Sequence, residues 1–153
     1  MHDIVVITDT SCLIALAKIN ALELLNLLYH KVIVTKEICE EYGEPLPEWI
    51  EIKPVKNKKY QQLLELLLDR GEASAIALAL EMGNVLLIVD DLKARKEAKR
   101  LGLQMTGTLG VLYALKQKGF ISALKPYIDV LQSIDFRIAP NIVSELLLLC
   151  GEK

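Results

Sequence analysis

Five acidic residues, Asp9, Glu41, Glu72, Asp90 and Asp91, are spaced so that they suit chemistry at one edge of a sheet. Ile4-Val5-Val6-Ile7-Thr8 and Val85-Leu86-Leu87-Ile88-Val89 are short, continuously apolar runs, the pattern of strands buried on both faces. Asp9 ends the first, and Asp90-Asp91 ends the second. Open parallel sheets bind ligands beyond the carboxyl ends of their strands, where the strand order reverses. If these two strands are neighbours at that point, Asp9 meets the Asp90-Asp91 pair. Glu41, on the helix leaving the second strand, and Glu72, in the first turn of the helix entering the fourth, point to the same place. Two like charges ~6 Å apart at an effective dielectric of ~20 repel by roughly 2.8 kcal/mol. A cluster of this kind needs protons or cations to neutralise it. All-oxygen ligands select hard cations, Mg²⁺ or Mn²⁺, and such ions are the usual equipment of phosphodiester hydrolysis.

Each acid also has a purely structural role open to it. Asp9 and Asp91 have the position of helix caps, Glu72 suits the positive end of a helix dipole, and Glu41 suits a solvated face. Around them stand candidates for substrate contact. Thr10 and Ser11 follow Asp9, and Arg95 lies one turn beyond Asp91 on a helix crowded with Lys93, Lys96, Lys99 and Arg100. Phosphate contacts are mostly made by Lys and Arg; a solvated face with a Lys93–Glu97 pair is the alternative. Thr106-Gly107-Thr108 opens a helix, so Thr106 and Thr108 either touch substrate or serve as caps. Lys53, Lys56, Lys58 and Lys59 read as surface charge. His2 and His30 fall outside these motifs and read as surface residues.

Alternating elements must position these groups. Strands are expected at 4–8, 32–34, 49–52 (an edge strand), 85–89 and, very short, 103–105. Helices are expected at about 11–19 and 21–29, after Thr35 to Gly43, and over 57–69 with Leu63, Leu64, Leu67 and Leu68 inward. Gly71 then interrupts, and Glu72 opens a helix through Met82. Further helices follow Asp91, run from Thr106 to about Lys118, and cover about 122–133 and 141–149. Alternation of this kind predicts an α/β domain with a mostly parallel sheet.

Four segments in this order resemble the PIN-domain ribonucleases, the fold of VapC-type toxins. Asp9-Thr10-Ser11-Cys12-Leu13-Ile14 resembles the family's opening motif, and Gly71 to Ala79 is similar to the helix carrying its third acid. Leu87 to Arg95 resembles its fourth-strand segment. Gly107-Thr108-Leu109-Gly110-Val111-Leu112, with Lys116 and Gly119, is similar to an uncharacterised prokaryotic PIN-like subgroup. The resemblance spans residues 3–149. It implies a three-layer α/β/α sandwich with five strands in the order 3-2-1-4-5. It also implies a Mg²⁺- or Mn²⁺-dependent endoribonuclease site in which water attacks an RNA phosphodiester in line. Asp9 matches the first acid, Glu72 the third and Asp91 the fourth, with Asp90 adjacent and able to share the metal. Glu41 fits the second acid best, and Glu40 and Glu37 are alternates. The resemblance further suggests a homodimer and, for a toxin, a small antitoxin protein that covers the site.

Composition narrows the classes. A chain of 153 residues with 52% apolar and 25% charged residues has the length of one domain, here 1–153, and is not disordered. A net charge of −2 excludes a generic polyanion binder, so nucleic-acid affinity must come from a local patch. Aromatic residues at 5% are too few for a stacking platform. Cys12, Cys39 and Cys150 fit neither a disulfide framework nor a zinc site and read as reduced core thiols of a cytoplasmic protein. No secretory signal opens the chain, and no apolar run nears the ~20 residues that span a bilayer. The Leu-rich helices could line an oligomer interface or the core. A silent interaction module on the same fold is the second functional class. An Asp-dependent phosphohydrolase ranks below it, because Ser11 stands where a second Asp would be needed.

Overall fold

A computed structural model describes residues 3–152; His2 lies outside them. Five β-branched or apolar segments form one sheet: β1 (Val5–Thr8), β2 (Lys31–Thr35), β3 (Ile50–Lys53), β4 (Leu86–Ile88) and β5 (Gln104–Thr106). All pairings are parallel, in the order β3-β2-β1-β4-β5. Helices flank the sheet in an α/β/α arrangement: α1 (Thr10–Lys18), α2 (Leu24–Leu28), α3 (Lys36–Tyr42), α4 (Lys58–Leu64), α5 (Arg70–Met82), α6 (Leu92–Arg100), α7 (Thr108–Gln117), α8 (Lys125–Ser133) and α9 (Pro140–Leu149). The expected fold class and strand order are therefore observed.

The chain builds from β1 outward to β3, then returns to the other side of β1 for β4 and β5. The order reverses between β1 and β4, and there the strands end level: Thr8 pairs with Ile88, and the Asp9 amide donates to the Ile88 carbonyl at 3.2 Å. The reversal thus places Asp9 and Asp90 at one edge. The core beneath is aliphatic. Ile7, Leu13, Leu16, Ile33, Ile38, Ile76, Leu87 and Leu112 are among its largest fully buried side chains.

Three expected elements differ. The helix at 21–29 shortens to α2, because residues 21–23 form turns in which the Leu24 and Leu25 amides donate to the Ala21 and Leu22 carbonyls. The helix at 57–69 stops at Leu64, so only Leu64 and Leu68 turn inward, while Leu63 and Leu67 are each 62% exposed. Gly71 does not interrupt anything. The Asp69 carboxylate accepts from the Glu72 amide at 2.8 Å and starts α5 at Arg70, which places Gly71 in the first turn. The other helices begin and end within a few residues of expectation.

Burial sets how much each apolar side chain contributes to stability. Ile33→Ala should cost about 2–5 kcal/mol, since the fully buried side chain leaves a cavity in a close-packed layer. Leu66→Ala, at a position 80% exposed, should stay within about 0.5 kcal/mol. Urea unfolding of both variants checks the contrast.

Candidate active site

The site is assembled from helix starts at the carboxyl edge of the sheet. Asp9 follows β1 and caps α1, its Oδ1 accepting from the Cys12 amide at 2.9 Å. It is only 2% exposed. Asp69 caps α5, and Glu72 lies in that helix's first turn. Glu41 reaches in from α3, where its Oε1 accepts the Thr10 hydroxyl at 2.6 Å. Asp9, Thr10, Ser11, Glu41, Asp69 and Glu72 line one small pocket of about 140 Å³. Gly71 makes room for this approach, because a Cβ there would sit 2.0 Å from Glu41 Oε1.

Asp90 and Asp91 lie beside this pocket rather than on its wall. Asp90 accepts the Thr108 amide at 2.9 Å and the Thr108 hydroxyl at 2.6 Å, and the Cys12 thiol donates to it at 3.1 Å. It braces the end of β4 against α1 and the start of α7. Gly107 permits that packing, since a Cβ there would meet Asp90 Oδ1 at 2.5 Å. Asp91 caps α6 through the Ala94 amide at 3.0 Å and is exposed. Its charge still reaches Glu72.

Among the described residues, the site's negative charge has no counter-ion. Burial, with further pushes from Asp90 and Asp69, raises the Asp9 carboxyl to about 6, despite the stabilising Cys12 hydrogen bonds. Burial also raises Glu72 to about 7, with Asp69, Asp91 and Asp9 adding to it. Burial, followed by the Asp9 and Asp90 charges, pushes the Cys12 thiol up, so it stays protonated and can donate. Among the described residues, the ion pairs engage other acids: Lys58 with Glu37, Arg70 with Glu40, Arg100 with Glu97. None engages Asp9, Glu41, Glu72 or Asp91.

Those pairs also separate the three neighbouring glutamates of α3. Glu37 is buried against Lys58 at 2.9 Å; burial works to raise its carboxyl, but bonds from Lys58 and Gln61 hold it low. Glu40 faces Arg70, and Glu41 alone of the three lines the pocket. Lys58 is therefore more than surface charge, and Glu97 pairs with Arg100 rather than with Lys93. Thr108 is fully buried, and its hydroxyl donates to Asp90. Thr106 is half-buried; Arg95 donates to the Val89 carbonyl at 2.8 Å beyond the end of β4. His30 is exposed. Cys12 is buried, Cys39 and Cys150 are half-buried, and all are free thiols. Asp69 is absent from the sequence-derived set, although Asp69-Arg70-Gly71-Glu72 has the cap-x-x-Glu spacing of a helix start.

A hard cation suits the chemistry of this donor set. Carboxylate and hydroxyl oxygens line the pocket, and among the described residues no ion pair engages Asp9, Glu41 or Glu72. Among the described residues, no three carboxylate, thiol or imidazole groups converge on one point as the side chains stand.

Raised carboxyl values set a direction for stability. Asp9 and Glu72 rise from 3.8 and 4.5 to about 6 and about 7. The folded chain therefore holds protons that the unfolded chain releases, so folding loses stability as pH rises through that window. Thermal melts without divalent cations should show Tm falling between about pH 4 and pH 7. Asp9→Asn should flatten the fall and raise Tm at pH 8. A Tm that climbs over the same window would contradict this charge balance.

Comparison with known proteins agrees with the architecture. A family model described as PIN domain matches residues 5–152. No curated protein matches the chain. Among the described residues, no helix is long and apolar enough to cross a membrane. With the matched region covering nearly all of the chain, and with the sheet order and the acidic strand ends in place, the protein belongs to the PIN-domain family, a family whose members are generally nucleases.

Proposed function

We propose that the protein is a Mg²⁺- or Mn²⁺-dependent endoribonuclease that hydrolyses RNA phosphodiesters at the Asp9–Glu41–Glu72 pocket. One observation carries this reading. A buried aspartate and two glutamates, with no basic partner among the described residues, share a pocket at the strand-order reversal of a PIN-domain chain. A divalent cation held there would supply Lewis-acid polarisation of the phosphate and a more acidic water. Asp9 is the fixed ligand in this reading, because its cap bond and burial hold its carboxylate in place. Glu41 and Glu72 are longer and less buried, and they complete the set by rotating toward Asp9. Thr10 steers Glu41 through its hydroxyl. Asp69 adds negative charge, and Asp91 joins from the edge of the pocket. Asp90, Cys12 and Thr108 hold β4 in register and position Asp91. Thr10 and Ser11 are the substrate contacts nearest the acids. A toxin role, with a small antitoxin protein covering the pocket and a homodimeric, cytoplasmic enzyme, belongs to the same reading.

A catalytically silent interaction module is the second reading. It is favoured by the failure of three acids to converge among the described residues. Incubation of pooled RNA with Mn²⁺ or Mg²⁺ decides between them. The wild type should cleave, EDTA should abolish cleavage, and Asp9→Asn should reduce it at least a hundredfold. Equal activity in the two proteins, or none in either across a wide RNA pool, would overturn the nuclease reading.

A further inference from the structure

We infer that a groove on the far side of Asp90 seats one nucleotide of single-stranded RNA next to the bond cut at the acidic pocket, with Arg137 and Arg95 serving its phosphates and Phe136 its base. The inference rests on the nuclease reading above. The groove has a volume of about 550 Å³, and its lining includes Asp90, Arg95, Thr106, Leu109, Phe136 and Arg137. It opens at the carboxyl end of β5, where Thr106 ends the strand. Residues Phe136 to Ala139 also line a second hollow of about 920 Å³, which carries Asp135 and Gln132 on its wall.

Three properties match a nucleotide. The first is charge. Arg137 is exposed and has no acid within ion-pair distance among the described residues. Arg95 is pinned by its bond to the Val89 carbonyl, so its guanidinium is held at the groove instead of sweeping through solvent. Asp90, the acid on this wall, is occupied by Thr108 and Cys12. The second is apolar surface beside that charge: Phe136 is half-buried and packs on the core, while Leu92 is 82% exposed at the margin. An unstacked base stacks on such a ring, whereas a duplex keeps its bases turned inward. The third is continuity. Cys12 links Asp90 to the start of α1, whose cap Asp9 stands in the acidic pocket. A strand leaving that pocket along the sheet edge crosses Asp90 and enters the groove.

The test is binding of a fluorescein-labelled single-stranded RNA in EDTA, read by anisotropy over a range of salt, with cleavage measured separately in Mn²⁺. Arg137→Ala should weaken binding at least fivefold and lower the slope of log affinity against log salt by about 0.7, one single-strand phosphate contact. Phe136→Leu should weaken it at least threefold through lost stacking, and Lys59→Ala should leave it unchanged. Binding of a duplex should be insensitive to Arg137→Ala. No binding by wild type, wild-type affinity in Arg137→Ala, or an equal loss for the duplex would overturn the groove. RNA cleavage with Arg137-independent binding would sink the groove alone. Arg137-dependent binding without cleavage in any metal would support the groove and sink the nuclease reading.

Discussion

Burial of acids beside other acids, at the end of a parallel sheet, is the constraint on which the rest of this molecule turns. Parallel strands β1 and β4 end level, and each is followed by acid. The strand order leaves no freedom to separate them. Burial removes the water that would screen Asp9, and the neighbouring acids raise it further. A protein selected for stability alone would place a lysine or a neutral side chain here. The described cations instead pair with acids elsewhere, such as Glu37, Glu40 and Glu97. Perturbed carboxyls at a strand-order reversal mark a candidate functional site.

The surroundings hold this charge in a defined arrangement. Helix starts do most of that: Asp9, Asp69 and Asp91 each cap a helix with one carboxylate oxygen. A capping carboxylate is therefore not an alternative to a functional one, since the cap bond fixes its direction. Asp90 shows a different use of the same residue type. Its bonds to Thr108 and Cys12 tie together segments far apart in the chain, and this bracing requires the Cys12 thiol to keep its proton. Gly71 and Gly107 each leave out a Cβ where a carboxylate must pass.

Much of this was legible in the sequence. The β-branched runs, the strand-terminal acids and the alternation of elements follow from local pattern, and they suffice for the sheet and for Asp9. What was not legible depended on tertiary contacts. Glu37, Glu40 and Glu41 occupy one helix and look alike in sequence, yet Lys58 and Arg70 from other segments neutralise the first two. Lys93–Glu97 has good helical spacing, but Arg100 reaches Glu97 instead. The sequence pattern puts the break between α4 and α5 at Gly71, a few residues late, whereas the signal for the start of α5 is the Asp69 cap. Nothing in the sequence distinguishes the surroundings of the adjacent Asp90 and Asp91. Thr108 does so, from eighteen residues away.

Calorimetric titration with Mn²⁺ in two buffers of different ionisation enthalpy tests the central claim most directly. At pH 6.5 the wild type should take up Mn²⁺ and release protons as the cation displaces them from Asp9 and Glu72. The released fraction should shrink toward pH 8, and Asp9→Asn should bind at least tenfold more weakly. Absence of Mn²⁺ uptake, or equal uptake by wild type and Asp9→Asn, would contradict the account.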